Sequence, residues 1–238
     1  MKKVLFLLVM VAAFVACSKD DDGLDVGNDE ITLQSDGTYT ITAKTDNPLV
    51  YTSNNEYVAK VTNDGIIKAQ RIGEANIEVS DGSSSANILV KVTPKYNTYP
   101  APFLEFGTSK SDIIAKYGTP DSETTNGIGY TNYSTKAPML MFLFDSNNKL
   151  SATSVLVKTS YSSELGSFLA ERYAPFTYSD ESYTIFFVNG LTKNSITMAV
   201  GASVYNLNYW LVTYFPYIPT KSSSTKTFSF DELIKNME

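Results

Sequence analysis

The segment from Val58 to Ala69, Val-Ala-Lys-Val-Thr-Asn-Asp-Gly-Ile-Ile-Lys-Ala, contains the strongest local fold signal in the chain. Its centre, Asn63-Asp64-Gly65, separates two short β-prone runs, and Asp-Gly pairs favour the positive φ angles of hairpin turns. Outward from this hairpin, between Ile31 and Thr93, further short alternations of apolar and polar residues are separated by turn residues. Strands spaced about 8 to 12 residues apart predict an all-β sandwich.

Three segments around the hairpin carry a family resemblance: Tyr51–Val61, Asp64–Ala69 and Gly73–Ile77. Together they resemble the group 2 bacterial immunoglobulin-like domain, although that family has a tryptophan near the position of Tyr51. The resemblance covers residues 31–93 and implies an immunoglobulin-like (Ig-like) sandwich. Such domains serve as spacers or adhesive modules in surface proteins, and a fold shared so widely does not name a ligand.

Helical periodicity begins only after residues 94–102, a proline-containing segment that reads as a stiff linker. A capping box at Ser109–Asp112 predicts a helix that ends at Gly118-Thr119-Pro120, and a second helix is predicted from Ser162 to Tyr173, before Pro175. Each helix is followed by three predicted strands: 128–133, 139–144 and 151–158, then 183–188, 195–200 and 209–215. A repeated αβββ pattern predicts an α+β domain over residues 103–220, with an antiparallel sheet and helices on one face. The protein is therefore predicted to be multidomain.

Part of this second region also carries a resemblance. Asp112–Asp121, followed by Tyr130, Tyr133, Leu143-Phe144-Asp145 and Leu150, resembles the small outer-membrane lipoproteins and the β-lactamase-inhibitor-like proteins. The resemblance covers about 50 residues and implies an open sheet face that holds other proteins.

The N-terminus has the layout of an export signal. Met1-Lys2-Lys3 precedes an apolar run from Val4 to Val15, and Ala16 precedes Cys17, the single cysteine of the chain. Phe14–Cys17 resembles the lipobox of bacterial lipoproteins, which implies cleavage after residue 16 and acyl chains, diacylglycerol and palmitate, on Cys17. The alternative of a transmembrane anchor is disfavoured because the run is shorter than the ~20 residues that span a bilayer.

The residues after Cys17 are polar and acidic, and we expect residues 17–30 to form a flexible tether. Ser18–Asp22 resembles the signal that sends lipoproteins of the Bacteroidota to the outer face of the outer membrane. The expected location is therefore the outer membrane, lipid-anchored and at the cell surface.

Composition narrows the function classes. The net charge of -6 without a concentrated basic patch disfavours nucleic acid as a partner. The chain has 0 histidines and Cys17 is expected to carry lipid, so His-based nucleophile systems and the usual zinc and transition-metal sites are excluded. No carboxylate pair stands out as catalytic. We therefore expect no enzyme activity, no cofactor and no metal site.

Aromatic residues concentrate in the second region, and Tyr209–Phe215 is the richest strand. Alternation places Trp210 and Tyr214 on one face and Tyr209 and Phe215 on the other. Because exposed tyrosine and tryptophan are enriched at interfaces, these four residues are the candidate binding site.

The C-terminal segment, residues 221–238, combines a Ser/Thr/Lys linker with a capping box at Ser229–Glu232. Its apolar residues follow at helical spacing: Phe230, Leu233, Ile234 and Met237. A helix this short needs a surface to dock on, either the sheet of its own chain or a partner subunit.

These features predict a non-enzymatic, lipid-anchored envelope protein whose Ig-like spacer presents an α+β module to a protein partner. The first alternative is a carbohydrate-binding lipoprotein of a glycan-uptake system. The second is a carboxylate enzyme, which would need two acidic side chains facing each other across a cleft. The sequence does not indicate an oligomeric state.

Overall fold

The computed structural model describes residues 23–217, which are mostly β-sheet with two short α-helices. Residues 23–93, called here the N-terminal region, contain seven strands: β1 (Glu30–Gln34), β2 (Thr38–Thr40), β3 (Val50–Ser53), β4 (Ala59–Val61), β5 (Ile66–Ala69), β6 (Gly73–Ser80) and β7 (Ser85–Thr93). They form a four-stranded sheet in the order β1-β7-β6-β3 and a three-stranded sheet in the order β2-β5-β4. The β1–β7 pair is parallel.

Both sheets of the N-terminal region contribute to one buried cluster. In β6 the burial alternates with period two, so that Ala75, Ile77 and Val79 point inward and the residues between them point outward. Ile67 of β5 and Ile88 of β7 are fully buried in the same cluster. The predicted hairpin is confirmed: β4 and β5 pair across the turn, and Gly65 has a φ of 73°.

Residues 94–217, the C-terminal region, contain both helices, α1 (Lys110–Tyr117) and α2 (Ser162–Ala170), and eight strands. The strands are β8 (Ser122–Glu123), β9 (Gly127–Thr131), β10 (Met139–Phe144), β11 (Leu150–Lys158), β12 (Ala174–Ser179), β13 (Thr184–Val188), β14 (Met198–Val204) and β15 (Tyr209–Pro216). All their pairings are antiparallel, in the order β12-β13-β14-β15-β11-β10-β9-β8.

Ser109 caps α1 as predicted, because its hydroxyl accepts a hydrogen bond from the backbone N–H of Asp112, and Gly118, with a φ of 87°, is the C-cap that follows Tyr117. α2 begins at Ser162 as predicted but ends at Ala170, before the predicted Tyr173. The αβββ pattern needs correction, since each helix is followed by four strands. The additional strands are β8 and β12, the two edge strands, which make few of the buried contacts that create a recognisable apolar pattern.

The strand order is symmetrical about its centre. Within each half the four strands follow one another as a meander, and the last strands of the halves, β11 and β15, pair in the middle through Val155 and Val212. Ile113 of α1 and Leu165, Phe168 and Leu169 of α2 join the same buried cluster as Val155 and Val212. Both helices therefore cover one face of the sheet, called here the helix face; the opposite face is called the second face.

Candidate interaction surface

The predicted alternation along β15 is present. Tyr214 and Val212 lie in the cluster on the helix face, and Trp210 packs against it. Leu211 and Tyr209 belong to a cluster on the second face, and Phe215 packs in another cluster on that face. These positions follow from the period-two geometry of a strand.

The structure does not bring Trp210 and Tyr214 together as an exposed binding pair. Tyr214 is only 1% exposed, and its hydroxyl lies 2.6 Å from the hydroxyl of Tyr99. Trp210 is half-buried, and its indole N–H donates to the Ser162 hydroxyl at 2.8 Å. Tyr209 and Phe215 are half-buried as well. The prediction of a four-residue aromatic site is therefore corrected: Tyr214 is a core residue, because α2 and the segment containing Tyr99 close over it.

A group of tyrosines surrounds this buried pair. Tyr173 packs edge-on against Tyr214 with ring centroids 5.9 Å apart, and Tyr99 packs against Phe168 of α2 at 4.5 Å. Burial raises the pKa of both Tyr99 and Tyr214 well above the usual tyrosine value. Both phenols are therefore neutral at physiological pH and serve as hydrogen-bonding core residues.

A group of exposed apolar side chains lies instead toward the β12 end of the sheet. Tyr178 is 51% exposed, Ile185 41% and Val204 56%, and Tyr183 at the β12–β13 turn is 73% exposed. The register pairs Tyr178 with Ile185 and Ile185 with Ala202, a residue of the helix-face cluster. Because directly paired residues share a face, the exposed side chains continue the helix face beyond α2.

Val204 lies two residues after Ala202 on β14, so its side chain is on the same face. Val204 pairs with Trp210 of the neighbouring strand β15. Trp210 therefore borders the exposed group. We call Tyr178, Tyr183, Ile185, Val204 and Trp210 the edge patch. Acidic residues Asp180 and Glu181 lie at the turn beside it and are exposed.

The backbone of β12 is also available. β12 is the terminal strand of the eight-stranded sheet and pairs on one side, with β13, within residues 23–217. A shift in register between Pro175 and Thr177 places Phe176 at a bulge, where it is 54% exposed. An edge strand presents a row of backbone donors and acceptors to which another strand can add.

Contacts between the N-terminal and C-terminal regions position this sheet. The Tyr57 hydroxyl donates to the carbonyl oxygens of Arg172 at 2.8 Å and Val188 at 3.2 Å. The Arg71 guanidinium lies over the Tyr57 ring, 4.9 Å from its centroid. Burial raises the pKa of Tyr57 to about 12, although the Arg71 charge acts in the opposite direction.

Glu171 is the second anchor between the regions. Its carboxylate is 3% exposed and accepts hydrogen bonds from the backbone N–H groups of Lys95 at 2.9 Å and Tyr96 at 3.2 Å. It also forms an ion pair with Arg172. Its backbone carbonyl accepts from the N–H of Ile72 at 2.8 Å. The start of the connecting segment is therefore held against α2 by a buried, fully hydrogen-bonded charge.

A polar cavity of about 610 Å³ opens beside this connecting segment. Lys95, Lys136, Tyr161 and Glu164 are among its lining residues. The Lys136 ammonium pairs with the Glu164 carboxylate, and the Thr98 hydroxyl donates to the same carboxylate at 3.1 Å. The hydrogen bond from Lys136 is the main cause that lowers the pKa of Glu164. The charges lining the cavity thus largely satisfy one another.

Two predicted features lie outside the described residues: the lipidation site Cys17, and the apolar stripe of Phe230, Leu233, Ile234 and Met237. Within residues 23–217 no three His, Cys, Asp or Glu side chains come together as a metal site. Of the helices in that same range, none has the length and apolar content needed to cross a membrane.

Comparison with known proteins yields little. No family model matches the chain, and no curated protein matches it. Among solved structures, domains 5–6 of the S-layer protein SbsC are 12% identical, with 84% of this chain and 86% of that chain covered and a TM-score of 0.26. The EC1-2 fragment of human Protocadherin-24 is 16% identical, with 82% and 93% covered and a TM-score of 0.27. TM-scores of this size do not establish a shared fold.

The edge patch has a signal in the sequence that the predicted strands do not include. Phe176 and Tyr178 alternate with polar or small residues directly before the polar turn Ser179–Ser182, and Tyr183 and Ile185 follow it. Aromatic residues flanking a polar turn are typical of a hairpin. Pro175 predicts the end of a helix, but in the structure it lies inside the strand that starts at Ala174.

Proposed function

We propose that this protein is a non-enzymatic, lipid-anchored envelope protein that binds another protein through the edge patch. Acyl chains on Cys17 hold it in the outer membrane, and residues 17–30 act as a tether. Residues 31–93 form an Ig-like spacer domain, and residues 103–220 form an α+β domain that carries the binding surface. The observation that supports this proposal most directly is the exposed apolar group beside β12, an edge strand that pairs on one side only within residues 23–217.

The side chains of the edge patch favour a protein partner. Tyr178, Tyr183, Ile185 and Val204 are each at least 41% exposed, and they are grouped at one end of the sheet. Grouped exposed apolar residues mark interaction sites, and aromatic residues are enriched in the cores of interfaces. An extended segment of the partner that pairs with the free edge of β12 would bring its own side chains over the patch. Exposed Asp180 and Glu181 favour a partner with basic residues at the rim.

The contacts between the two regions support the spacer role. Tyr57 links the N-terminal region to the end of α2. Glu171, at that end of α2, bonds both the connecting segment and the N-terminal region. A spacer joined in this way presents the edge patch in one orientation. Less rotational freedom is then lost when a partner binds, and preorganisation of this kind increases affinity.

A carbohydrate ligand is the alternative that the aromatic content keeps open. The edge patch mixes two tyrosines with aliphatic Ile185 and Val204, and the indole N–H of Trp210 is already bonded to Ser162. Sugar recognition requires aromatic faces with polar groups beside them that are free to bond hydroxyls. The composition of the patch therefore favours apolar protein contacts.

Site-specific photo-crosslinking in cells tests the proposal. A photoreactive phenylalanine analogue replaces Tyr178 in one strain and Val50 in a control strain. Val50 is a matched control because it is 64% exposed but lies in the N-terminal region. We expect one defined protein adduct from position 178 and none from position 50. The adduct should disappear when Ile185→Ser and Val204→Ser are added.

The other outcomes decide against protein binding. Absence of a protein adduct, together with retention of the protein on envelope polysaccharide that Tyr183→Ala abolishes, would establish the carbohydrate alternative. Absence of both signals would contradict a binding function for the patch. The anchor is tested separately: Cys17→Ala should release the protein from the membrane fraction, because acylation needs the thiol.

A further inference from the structure

The second face of the eight-stranded sheet contains a buried apolar group that the helices do not cover. Met141 and Leu156 are 0% exposed, Leu143 is 3%, Met139 8% and Leu211 9%. The register places Met139, Leu156 and Leu211 side by side on β10, β11 and β15. We call these five residues the second-face cluster. An apolar side chain in the middle of a sheet reaches such low exposure only when another layer packs over it.

The described residues do not provide that layer. Both helices of residues 23–217 bury their apolar side chains on the helix face. Near β13 and β14 the second face is contacted by Tyr57 and Ile196, in a separate cluster. Around Met139, Met141, Leu156 and Leu211, the partly buried neighbours are Tyr205 and Tyr209, which belong to β15 and the turn before it. The covering layer therefore comes from outside residues 23–217.

Chain connectivity distinguishes the two ends of the protein. Toward the N-terminus, Leu24 and Val26 are buried in the cluster of the N-terminal region, residues 18–22 are polar, and the apolar run Val4–Val15 belongs to the signal peptide that we expect to be removed from the mature protein. Toward the C-terminus, the chain leaves directly from β15, a strand of the second-face cluster itself. The C-terminal end also carries apolar residues at helical spacing: Phe230, Leu233, Ile234 and Met237.

We propose that residues 229–238 dock on the second-face cluster as a helix, with these four apolar residues against Met139, Met141 and Leu156. Residues 218–228 form the connection, and at about 3.3 Å per residue they reach up to about 36 Å. The distance that this connection must cover is shorter. Leu211, in the cluster, lies five residues before Pro216, which is about 17 Å along β15.

The dimensions of the segment fit the cluster. A ten-residue helix is about 15 Å long, at 1.5 Å per residue. Three adjacent strands span a similar width, because neighbouring strands lie about 4.8 Å apart. The segment can therefore cross β10, β11 and β15, the strands that hold the cluster. Docking also supplies the tertiary contacts without which so short a helix is marginal.

The proposal is independent of the function proposed for the edge patch, because the patch lies on the helix face. It assigns the two faces different roles: helices and the C-terminal segment enclose the centre of the sheet on both sides, and the β12 end remains available. It also predicts that a partner does not bind the centre of the second face.

Thiol labelling tests the docking. Full-length mature protein with Cys17→Ser has no cysteine, so Met139→Cys introduces a single thiol into the cluster. We expect this thiol to react at least tenfold more slowly than one introduced by Val204→Cys, which reports a 56% exposed position. Leu233→Ser with Ile234→Ser should remove most of the protection. Lys235→Ser with Asn236→Ser, on the polar side of the segment, is the matched control and should preserve it.

Each alternative occupant gives a different result. If the Met139→Cys thiol reacts as fast as the exposed reference, the face is open and the proposal is wrong. If its protection falls on dilution in parallel with a change from dimer to monomer, a second copy of the chain covers the face. If the stripe variant and its control both keep full protection, another segment is the cover. Circular dichroism of every variant confirms that the sheet is intact when its labelling is compared.

Discussion

The Tyr57 hydroxyl of the N-terminal region donates to the Arg172 carbonyl oxygen, 2.8 Å away at the end of α2 in the C-terminal region. The same hydroxyl lies 3.2 Å from the Val188 carbonyl oxygen. The single hydroxyl hydrogen is therefore shared between two backbone acceptors, mainly the nearer one, at the boundary between two hydrophobic clusters, and the ring is half-buried beneath the Arg71 guanidinium. Its effects on stability and on orientation can be measured.

Tyr57→Phe removes the donor while keeping the ring. We expect it to lower the free energy of unfolding by about 1 to 3 kcal/mol, because carbonyl oxygens at a closed boundary lose their partner. Urea unfolding measures the change. Tyr51→Phe is the control, since the Tyr51 ring packs within the N-terminal cluster and its hydroxyl has no such bridging role. An equal loss in both variants would contradict a specific role for the Tyr57 hydroxyl.

The same residue predicts a pH dependence. Burial raises the pKa of Tyr57 to about 12, above the unfolded value of about 10. A group whose pKa is higher in the folded state contributes stability that is complete below the unfolded pKa and is lost as pH rises through the folded pKa. The stability advantage of the natural protein over Tyr57→Phe should therefore be constant below pH 10 and shrink between about pH 10 and 12. Urea midpoints at a series of pH values measure it, and an advantage that stays constant to pH 12 would contradict the assignment.

Glu171→Gln tests the charged anchor between the regions. The amide retains the shape but replaces one acceptor oxygen with a donor that faces the N–H groups of Lys95 and Tyr96, and it leaves Arg172 without its partner charge. We expect a loss of about 3 kcal/mol, as for a broken buried ion pair. Glu181→Gln, at the exposed β12–β13 turn, should change stability by less than about 0.5 kcal/mol. Similar losses in the two variants would contradict the anchoring role.

The buried hydroxyl pair of Tyr99 and Tyr214 predicts non-additive effects. Each single change to phenylalanine leaves the other hydroxyl buried without its partner and should cost about 1 to 3 kcal/mol. The double change removes both polar groups and should cost less than the sum of the two single changes. Chemical unfolding of the four proteins gives the coupling energy. Additive losses would show that water or other groups replace the missing partner.

Tyr214→Phe also tests whether Tyr214 is a core residue or a residue that contacts the partner. Because Tyr214 is buried, this variant should keep the crosslink proposed for position 178 while it loses stability. Loss of the crosslink at full stability would instead restore Tyr214 as a contact residue.

Gly65 tests the packing of the β4–β5 hairpin. A Cβ added at Gly65 would lie 2.8 Å from the Tyr51 ring, and the φ of 73° disfavours any other residue. Gly82 has a similar φ of 85°, but its Cβ would meet nothing within 4 Å. Gly82→Ala should therefore cost about 1 kcal/mol for backbone strain alone. Gly65→Ala should cost about 1 to 3 kcal/mol more, from overpacking, and thermal unfolding of both variants measures the difference.

Elements with strong local signals were predicted well. The β4–β5 hairpin, the Ser109 cap of α1 and the start of α2 at Ser162 all depend on residues that interact within a few positions. The boundaries of β14 were less accurate, because residues 189–197 contain hydrogen-bonded turns without a distinct apolar period. β12 has no clear signal of its own, because Pro175 indicates the end of a helix equally well, and proline is tolerated at an edge strand.

In the candidate site, too, only the features that depend on local sequence were predicted. Alternation correctly separated Trp210 and Tyr214 from Tyr209 and Phe215, since it follows from strand geometry. It did not indicate that the helices pack on the Tyr214 side, or that α2 ends before it covers Tyr178 and Ile185. Those facts depend on contacts between residues far apart in the chain, such as the 115 positions that separate Tyr99 from Tyr214.

The sequence by itself determined the local structure of this protein: the hairpin, the Ser109 cap of α1, the order of most strands and the sides on which their residues alternate. These depend on backbone preferences and side-chain spacing, which act over a few residues. Only the tertiary structure decided that Tyr214 is core, that the edge patch is exposed, and that Tyr57 and Glu171 join the two regions. Exposure depends on which distant surfaces pack together, and local sequence does not specify that choice.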